Sequence, residues 1–281
     1  MTVHVVIPVF NRLAMTRALV ECLRRQQVDQ PLHLLVVNDG SSDGTAAWLA
    51  MQAGITVLDG DGTLFWGGAI DLALKHLMSQ VSASDWVLFM NNDTHVADDF
   101  VQTLLNVARA HAPAAVGSVI RDEARPERLL SIGARVDAWR IRTVDLLDVR
   151  EPGRPWPEAV EVDALSGRGV LFPLESLKAA GGMRPRALPH YLADYELSLR
   201  VRARGWRLLV ASAAAVLSAP EYGNMRRAAT WRERLWSIRS PWYLPALATF
   251  WWEASNWPQR LTIPLRLPLF ALFPRLRRPA P

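Results

Sequence analysis

Cysteine is nearly absent from this chain: Cys22 stands alone, so no intramolecular disulfide can staple the fold, and a packed core in a reducing cytoplasm is expected. Cys22 falls in a helical pattern with Leu19 and Leu23, the place of a core thiol. Long apolar runs are missing as well. Glu253, Arg260 and Arg266 interrupt those near the C-terminus and Pro241, Pro245, Pro258, Pro264 and Pro268 break them, which excludes a membrane-spanning helix. No basic stretch followed by an apolar core opens the chain, so no signal peptide is expected. Internal repeats, low-complexity tracts and DNA-binding motifs are lacking too. What is present suits a globular protein: half the residues are hydrophobic, 21% are charged and 16 are Gly. The 281 residues allow one large domain, or one domain with an appendage, and a substantial core.

Charge is unevenly placed. Residues 221–281 hold ten Arg and three Glu, a net +7 against +5 for the whole chain, which leaves residues 1–220 at −2. The same tail carries Trp231, Trp236, Trp242, Trp251, Trp252 and Trp257, half of the 12 Trp. Arg interleaved with Trp suits peripheral contact with a membrane surface of anionic lipid. Stacking on nucleic acid is the formal alternative, and no motif supports it. A tail packed on its own domain or on a second subunit is the plainer reading.

Along the chain, short apolar runs alternate with helical patterns in the βαβ manner of a parallel sheet. Strands are expected at Val3–Val9, His33–Val37, Ile55–Leu58, Trp86–Met90 and Ala115–Ile120, with helices from about Ala14 to Gln26, Ala69 to Met78 and Asp99 to Ala110. Leu129 to Asp145 alternates around Gly133 and Trp139 like a hairpin, and Glu151–Pro157 reads as a proline-rich loop. Then follow a strand over Val162–Pro173, a helix over Leu174–Ala180 closed by Gly181-Gly182, a helix beginning near Asp194, and a strand over Trp206–Ala211. The expected domain is residues 1–220, with a parallel-sheet half (1–120) and an acceptor-facing half (121–220). Residues 221–281 form a basic, aromatic, helical extension.

Polar residues gather where these strands end, which is where open α/β sheets bind ligands. Trp86-Val87-Leu88-Phe89-Met90 runs into Asn91-Asn92-Asp93-Thr94, putting a lone carboxylate at a strand terminus. Asn91 to Asp93 also suit a simple turn, with Asp98 capping the next helix. Asp194 has two readings as well, a reactive carboxylate or an N-terminal helix residue favoured by the helix dipole. The glycine-rich stretch Asp59 to Gly68 fails the dinucleotide fingerprint at its third glycine, and no Lys-Ser or Lys-Thr pair makes a triphosphate loop. It is a turn or a ligand loop of another kind.

Four stretches in order, Pro8-Val9-Phe10-Asn11, Asn38-Asp39-Gly40-Ser41-Ser42-Asp43-Gly44-Thr45, Asn91-Asn92-Asp93, and Asp194-Tyr195-Glu196-Leu197 with Arg200, resemble the motifs of family 2 glycosyltransferases. Those are inverting enzymes of GT-A fold, a Rossmann-like mixed α/β sheet flanked by helices. The resemblance spans about residues 3 to 211 and looks most like the bacterial rhamnosyltransferase-like members that build surface polysaccharides. It implies a nucleotide-diphosphate sugar as donor and a hydroxyl of a growing, lipid-linked glycan as acceptor, at the inner face of the cell membrane.

The resemblance also implies roles. Pro8, Phe10 and Asn11 would wall the nucleoside pocket and Asp39 would accept a hydrogen bond from the base, with Ser41 and Asp61 on adjoining loops. Asp93 would bind Mg²⁺ or Mn²⁺ beside the donor phosphates, helped by Asn91, which stands where the family's first Asp would be; Asn92 would line the same site. A hard dication needs few protein ligands when phosphates supply the others. Asp194 aligns with the general base. Glu196 would share that burden and raise the Asp194 pKa by like-charge repulsion, since Ala193 replaces the acid the family places just before it. Arg168, Arg226 and Arg227 would pair with the diphosphate, although each also suits a solvated surface. A sugar nucleotidyltransferase would want an N-terminal glycine-rich loop with Arg and Lys, which Pro8-Val9-Phe10-Asn11 does not provide. A catalytically inactive scaffold or glycan-binding protein of the same fold remains the alternative from another class.

Overall fold

The computed structural model describes residues 1–149, 155–219 and 230–272. Its centre is a mixed sheet whose first strands are the short apolar runs of the sequence: β1 (Val3–Val9), β2 (Leu32–Asn38), β3 (Ile55–Asp59) and β4 (Trp86–Phe89). Helix α1 (Leu13–Arg24) joins β1 to β2, α2 (Thr45–Ala50) joins β2 to β3, and α3 (Phe65–Gln80) joins β3 to β4. All four strands are parallel, in the order β3-β2-β1-β4. Strands covered on both faces need no polar alternation, which is why Val3, Val5, Val6, Ile7, Leu35, Val36 and Val37 are all buried.

The second half reverses direction. After β5 (His95–Val96), α4 (Phe100–Ala110) and β6 (Ala114–Asp122) come three short strands, β7 (Leu129–Ser131), β8 (Ala134–Asp137) and β9 (Arg142–Asp145), of which the last two form the expected hairpin. Next are β10 (Ala159–Glu161), β11 (Val170–Pro173), α5 (Leu174–Ala180), α6 (Ala193–Ala203) and β12 (Arg207–Ser218). β11 inserts antiparallel between β4 and β6, completing the order β10-β12-β6-β11-β4-β1-β2-β3. The start of β11 therefore lies beside the end of β4. Gly169 donates to the Phe89 carbonyl at 2.9 Å, and so the Ser166–Gly169 loop meets the strand end that carries Asn91 to Asp93.

Helices cover both faces. α1, α2 and α4 pack on one, with Leu19, Leu23, Leu49 and Leu104 in its core. α3, α5 and α6 pack on the other together with α8 (Leu244–Glu253), around Ile70, Leu74, Phe172, Leu197 and Phe250. Phe89 and Phe172 bridge the β4–β11 seam with ring centroids 5.3 Å apart; each such fully buried side chain contributes about 1.5–3 kcal/mol. The extension adds α7 (Trp231–Trp236) and α9 (Trp257–Leu272). Among the described residues no helix is long and apolar enough to cross a membrane.

Some elements depart from expectation for local reasons. α3 starts at Phe65 rather than Ala69 because the Phe65 and Gly67 N–H groups find acceptors, the Asp39 carboxylate and the Pro189 carbonyl. The strand expected from Val162 forms only from Val170, since Gly167 is pressed against the Trp66 ring with no room for a side chain. β12 runs on to Ser218, held by β6 and β5 across a bulge between Ala211 and Ala215. Asp98 does not cap α4: the Val101 N–H is taken by the Gln26 side chain at 2.9 Å. The proline-rich loop falls partly outside the described residues, and Arg226 and Arg227 wholly so.

Candidate active site

The ends of β1 and β2 are tied by side chains that the sequence marked. Ser41 Oγ accepts from the Asn11 N–H at 2.8 Å, and Asn11 Oδ1 accepts from the Ser42 N–H at 2.8 Å. Asp43 accepts from the Leu13 and Thr45 N–H groups and the Thr45 hydroxyl, anchoring the starts of α1 and α2. Those bonds lower its pKa, the Thr45 hydroxyl most. Pro8 is half-buried and Phe10 is 53% exposed beside this turn, leaving an aromatic face free for a planar ring. Asp39 is buried; its Oδ1 accepts from Gly62 N–H at 2.8 Å and its Oδ2 from Phe65 N–H at 3.2 Å. It thus shapes the 60–65 loop, with acceptor capacity left for a ligand. Asp61, exposed on that loop, binds Thr63 through its N–H and hydroxyl, which lowers its pKa.

At the end of β4 the three candidates point different ways. Asn92 is buried and turned toward α1, its Nδ2 donating to Thr16 Oγ1 at 3.1 Å, so it supports the strand end and does not line the ligand side as expected. Asn91 Oδ1 accepts from the Trp66 indole N–H at 3.0 Å. That bond uses one of the two lone pairs of the amide oxygen and ties Asn91 to α3. Asp93 meets a charged side chain, its Oδ2 lying 2.7 Å from Arg12 Nη1. Its Oδ1 is buried and has no hydrogen-bond partner among the described residues.

Arg12 was not foreseen from sequence. It and Asn11 sit consecutively in the left-handed region (φ 65° and 59°), a conformation that costs a non-glycine residue roughly 1–3 kcal/mol and that carries the guanidinium back over the sheet end. The one signal was its position, a cation directly after a strand terminus and across the sheet from Asp93.

Asp194 lies in the first turn of α6. Its Oδ2 accepts from Gly167 N–H at 2.8 Å and its Oδ1 from Tyr195 N–H at 2.9 Å. The residue is half-buried, but its carboxylate is densely surrounded by protein. That desolvation pushes its pKa above the ordinary carboxylate value, against the opposing pull of the two N–H groups and the Arg168 charge. Trp66 ties the two carboxylate regions together, since its indole holds Asn91 while its ring packs on Gly167. Arg168 donates to Ser218 Oγ at 3.2 Å, close enough to Asp194 to act on it electrostatically.

Comparisons with known proteins bear on this arrangement. The model of the family described as glycosyl transferase family 2 matches residues 4–145, from the first strand through the β8–β9 hairpin. The chain belongs to glycosyl transferase family 2. Solved structures agree at the level of fold. GalNAc-T7 with UDP, GalNAc and Mn²⁺ superposes with a TM-score of 0.66 at 14% identity, over 89% of this chain and 47% of that one. S. aureus TarS 1–349 in complex with UDP-GlcNAc gives 0.58 at 16%, over 97% and 76%. The mannosyltransferase PcManGT from Pyrobaculum calidifontis in complex with GDP-Man and Mn²⁺ gives 0.55 at 17%, over 96% and 75%. The chain thus spans less than half of the GalNAc-T7 chain, and at these identities the likeness establishes the GT-A mixed sheet. No curated protein sequence matches.

A family 2 member with a divalent cation needs an oxygen donor beside the donor phosphates. Asp93 fits, because its buried Oδ1 lacks a partner, while no group of three His, Cys, Asp or Glu side chains forms a cage among the described residues. A cation here would be shared between Asp93 and the phosphates. His190 Nδ1 is a buried nitrogen with no hydrogen-bond partner among the described residues, and burial followed by the Arg239 charge lowers its pKa. A cavity of about 410 Å³ lined by Thr63, Phe65, Lys75 and Arg186 among others opens on the outer side of α3. It contains neither Asp93 nor Asp194.

Glu196 does not share the role of Asp194. Residues two apart on a helix point to opposite sides, and Glu196 is buried against Arg200 Nε at 2.7 Å and Nη2 at 2.8 Å, with Arg184 at 3.0 Å. Arg200 in turn donates to the Ala180 and Gly182 carbonyls, so this cluster fastens α6 to the end of α5. The elevation at Asp194 comes from burial instead of like-charge repulsion. Glu196→Ala should cost about 3–5 kcal/mol by stranding a buried guanidinium, read as a lower urea midpoint with an unchanged slope. A pure loss of turnover without loss of stability would contradict it.

Proposed function

We propose that this chain is an inverting glycosyltransferase that moves a hexose from a nucleotide-diphosphate sugar to a hydroxyl of a growing bacterial surface glycan, in the manner of the rhamnosyltransferase-like members. The observation that carries the reading is that Trp66 joins two carboxylate-bearing loops: it holds Asn91, two residues before Asp93 with its unmet oxygen, and packs on Gly167, whose N–H holds the desolvated Asp194 carboxylate. Phe10 and Asp39 take the nucleoside. Asp93 holds Mg²⁺ or Mn²⁺, which when bound supplies positive charge against the diphosphate. Arg12 and Arg168 add guanidinium charge on either side. Asp194 removes the proton of the acceptor hydroxyl as its oxygen attacks the anomeric carbon. The bond to the diphosphate oxygen breaks with its electron pair on the nucleoside diphosphate, and one in-line displacement inverts the anomeric centre. The acceptor is lipid-linked and met at the inner, cytoplasmic face of the cell membrane.

Support comes from neighbours of the same fold that hold UDP, UDP-GlcNAc or GDP-Man, two of them with Mn²⁺. The test is a thermal-shift screen of UDP-, dTDP- and GDP-sugars with and without Mn²⁺. One nucleoside class should raise the midpoint by several degrees, and more with Mn²⁺, because a ligand that binds only the folded state stabilises it by about 2.7 kcal/mol at a hundred times its Kd. A flat response to all of them would favour the inactive scaffold.

A further inference from the structure

Helix α9 is apolar on two opposite sides. Its inner side buries Gln259, Ile263 and Leu267 against the protein. Its outer side presents Trp257, Leu261, Leu265 and Leu269, four residues apart in turn and 74%, 72%, 77% and 44% exposed, with Pro264 and Pro268 exposed between them. A surface helix normally turns charged residues outward. Here the two Arg of the helix are drawn to its flanks. Arg266 donates to the Ala138 and Trp139 carbonyls at 2.7 Å and lies over the Trp139 ring. Arg260 donates to the Trp252 carbonyl at 2.9 Å and lies over that ring. Both rings are themselves exposed, Trp139 at 55% and Trp252 at 50%, and extend the apolar ridge.

We propose that this outer side of α9 seats the protein on an anionic lipid bilayer, with the helix lying in the plane of the interface. Three observations select that occupant. The 16 described residues of the helix, about 24 Å at 1.5 Å per residue, fall short of a hydrocarbon core of about 30 Å and carry two Arg. Residues 257–281 contain five Arg and no Asp or Glu, a charge complementary to anionic headgroups. A second copy laid on the same face would instead bring two acid-free, Arg-bearing segments together. Exposed Trp beside Arg is the composition of a membrane–water interface. The proposal rests on the membrane-face part of the functional reading and is independent of its donor chemistry.

The experiment is co-sedimentation of the full chain with vesicles of phosphatidylglycerol and phosphatidylcholine, and with phosphatidylcholine alone. The chain should pellet with the anionic vesicles, at least tenfold more weakly with the neutral ones, and less as salt rises. Leu261→Asp with Leu265→Asp should weaken anionic binding at least tenfold; both sites are exposed, and the milder Leu261→Ser with Leu265→Ser should give a smaller loss in the same direction. Melting temperature and nucleotide-induced shift should stay at their unsubstituted values, so failure here is separable from failure of the donor reading. Unchanged vesicle binding by the Asp variant would overturn the proposal, as would a dimer in light scattering that this variant dissociates, since a second copy would then be the occupant.

Discussion

Asp194→Asn should lower sugar transfer by roughly 10³-fold, the scale of a lost general base, while leaving the nucleotide-induced thermal shift in place. The substitution keeps the size of the side chain and an oxygen for one of the two N–H donors at Gly167 and Tyr195. It removes the capacity to take a proton, together with one of those two hydrogen bonds. Because burial raises the Asp194 pKa, the base form appears only above the ordinary carboxylate value near 3.9, and the acid limb of kcat should lie higher than that value. Stability carries the same signature with a definite sign. A carboxyl whose folded pKa is raised favours the folded state while protonated, below its unfolded pKa, and that contribution disappears as pH rises through the folded pKa. Asn has no such dependence. The melting temperature of Asp194→Asn relative to the unsubstituted protein should therefore climb from acid to neutral pH. Transfer that survives the substitution, or a difference in melting temperature flat with pH, would remove Asp194 from this role.

The parts of this molecule that could be read from sequence are those where one local pattern admits one structure. β1 to β4 are short apolar runs and lie within a residue or two of their expected bounds, because strands covered on both faces have no other composition available. The polar residues at their ends could be placed for the same reason, since the sheet delivers them to one edge. Direction could not be read. Asn91, Asn92 and Asp93 look equivalent on paper, yet the first is held by Trp66, the second by Thr16, and the third pairs with Arg12. Glu196 shows the same limit, because its partners Arg184 and Arg200 are brought together by the docking of α6 on α5. Gly167 was taken into a strand because nothing nearby in sequence announces the Trp66 ring that occupies its side-chain space. Arg12 escaped for a related reason: an Arg at the start of a helix ordinarily faces water, and its left-handed backbone is what turns it toward Asp93.

That contact governs the second large effect. Asp93→Asn should reduce transfer by roughly 10²–10³-fold, the range for removing one preorganised group that stabilises charge developing in the transition state, and should abolish any extra thermal shift that Mn²⁺ gives to nucleotide binding. The argument is one of charge at close range. Asp93 has one oxygen against Arg12 at 2.7 Å and the other buried without a partner, so a single carboxylate is asked to serve both a guanidinium and a divalent cation. Asn keeps the shape but carries no charge to hold either. Arg12→Gln separates the two demands. If the guanidinium and the cation compete for Asp93, the variant should reach half-maximal activity at a lower Mn²⁺ concentration, while its maximal rate falls because charge facing the diphosphate is lost. If Arg12 instead replaces the cation, transfer by the unsubstituted protein should persist in excess chelator and Arg12→Gln should abolish it. A Mn²⁺ titration of the two variants beside the parent, with and without chelator, decides between these, and an Asp93→Asn enzyme with unaltered activity and Mn²⁺ response would place the diphosphate site elsewhere on the sheet.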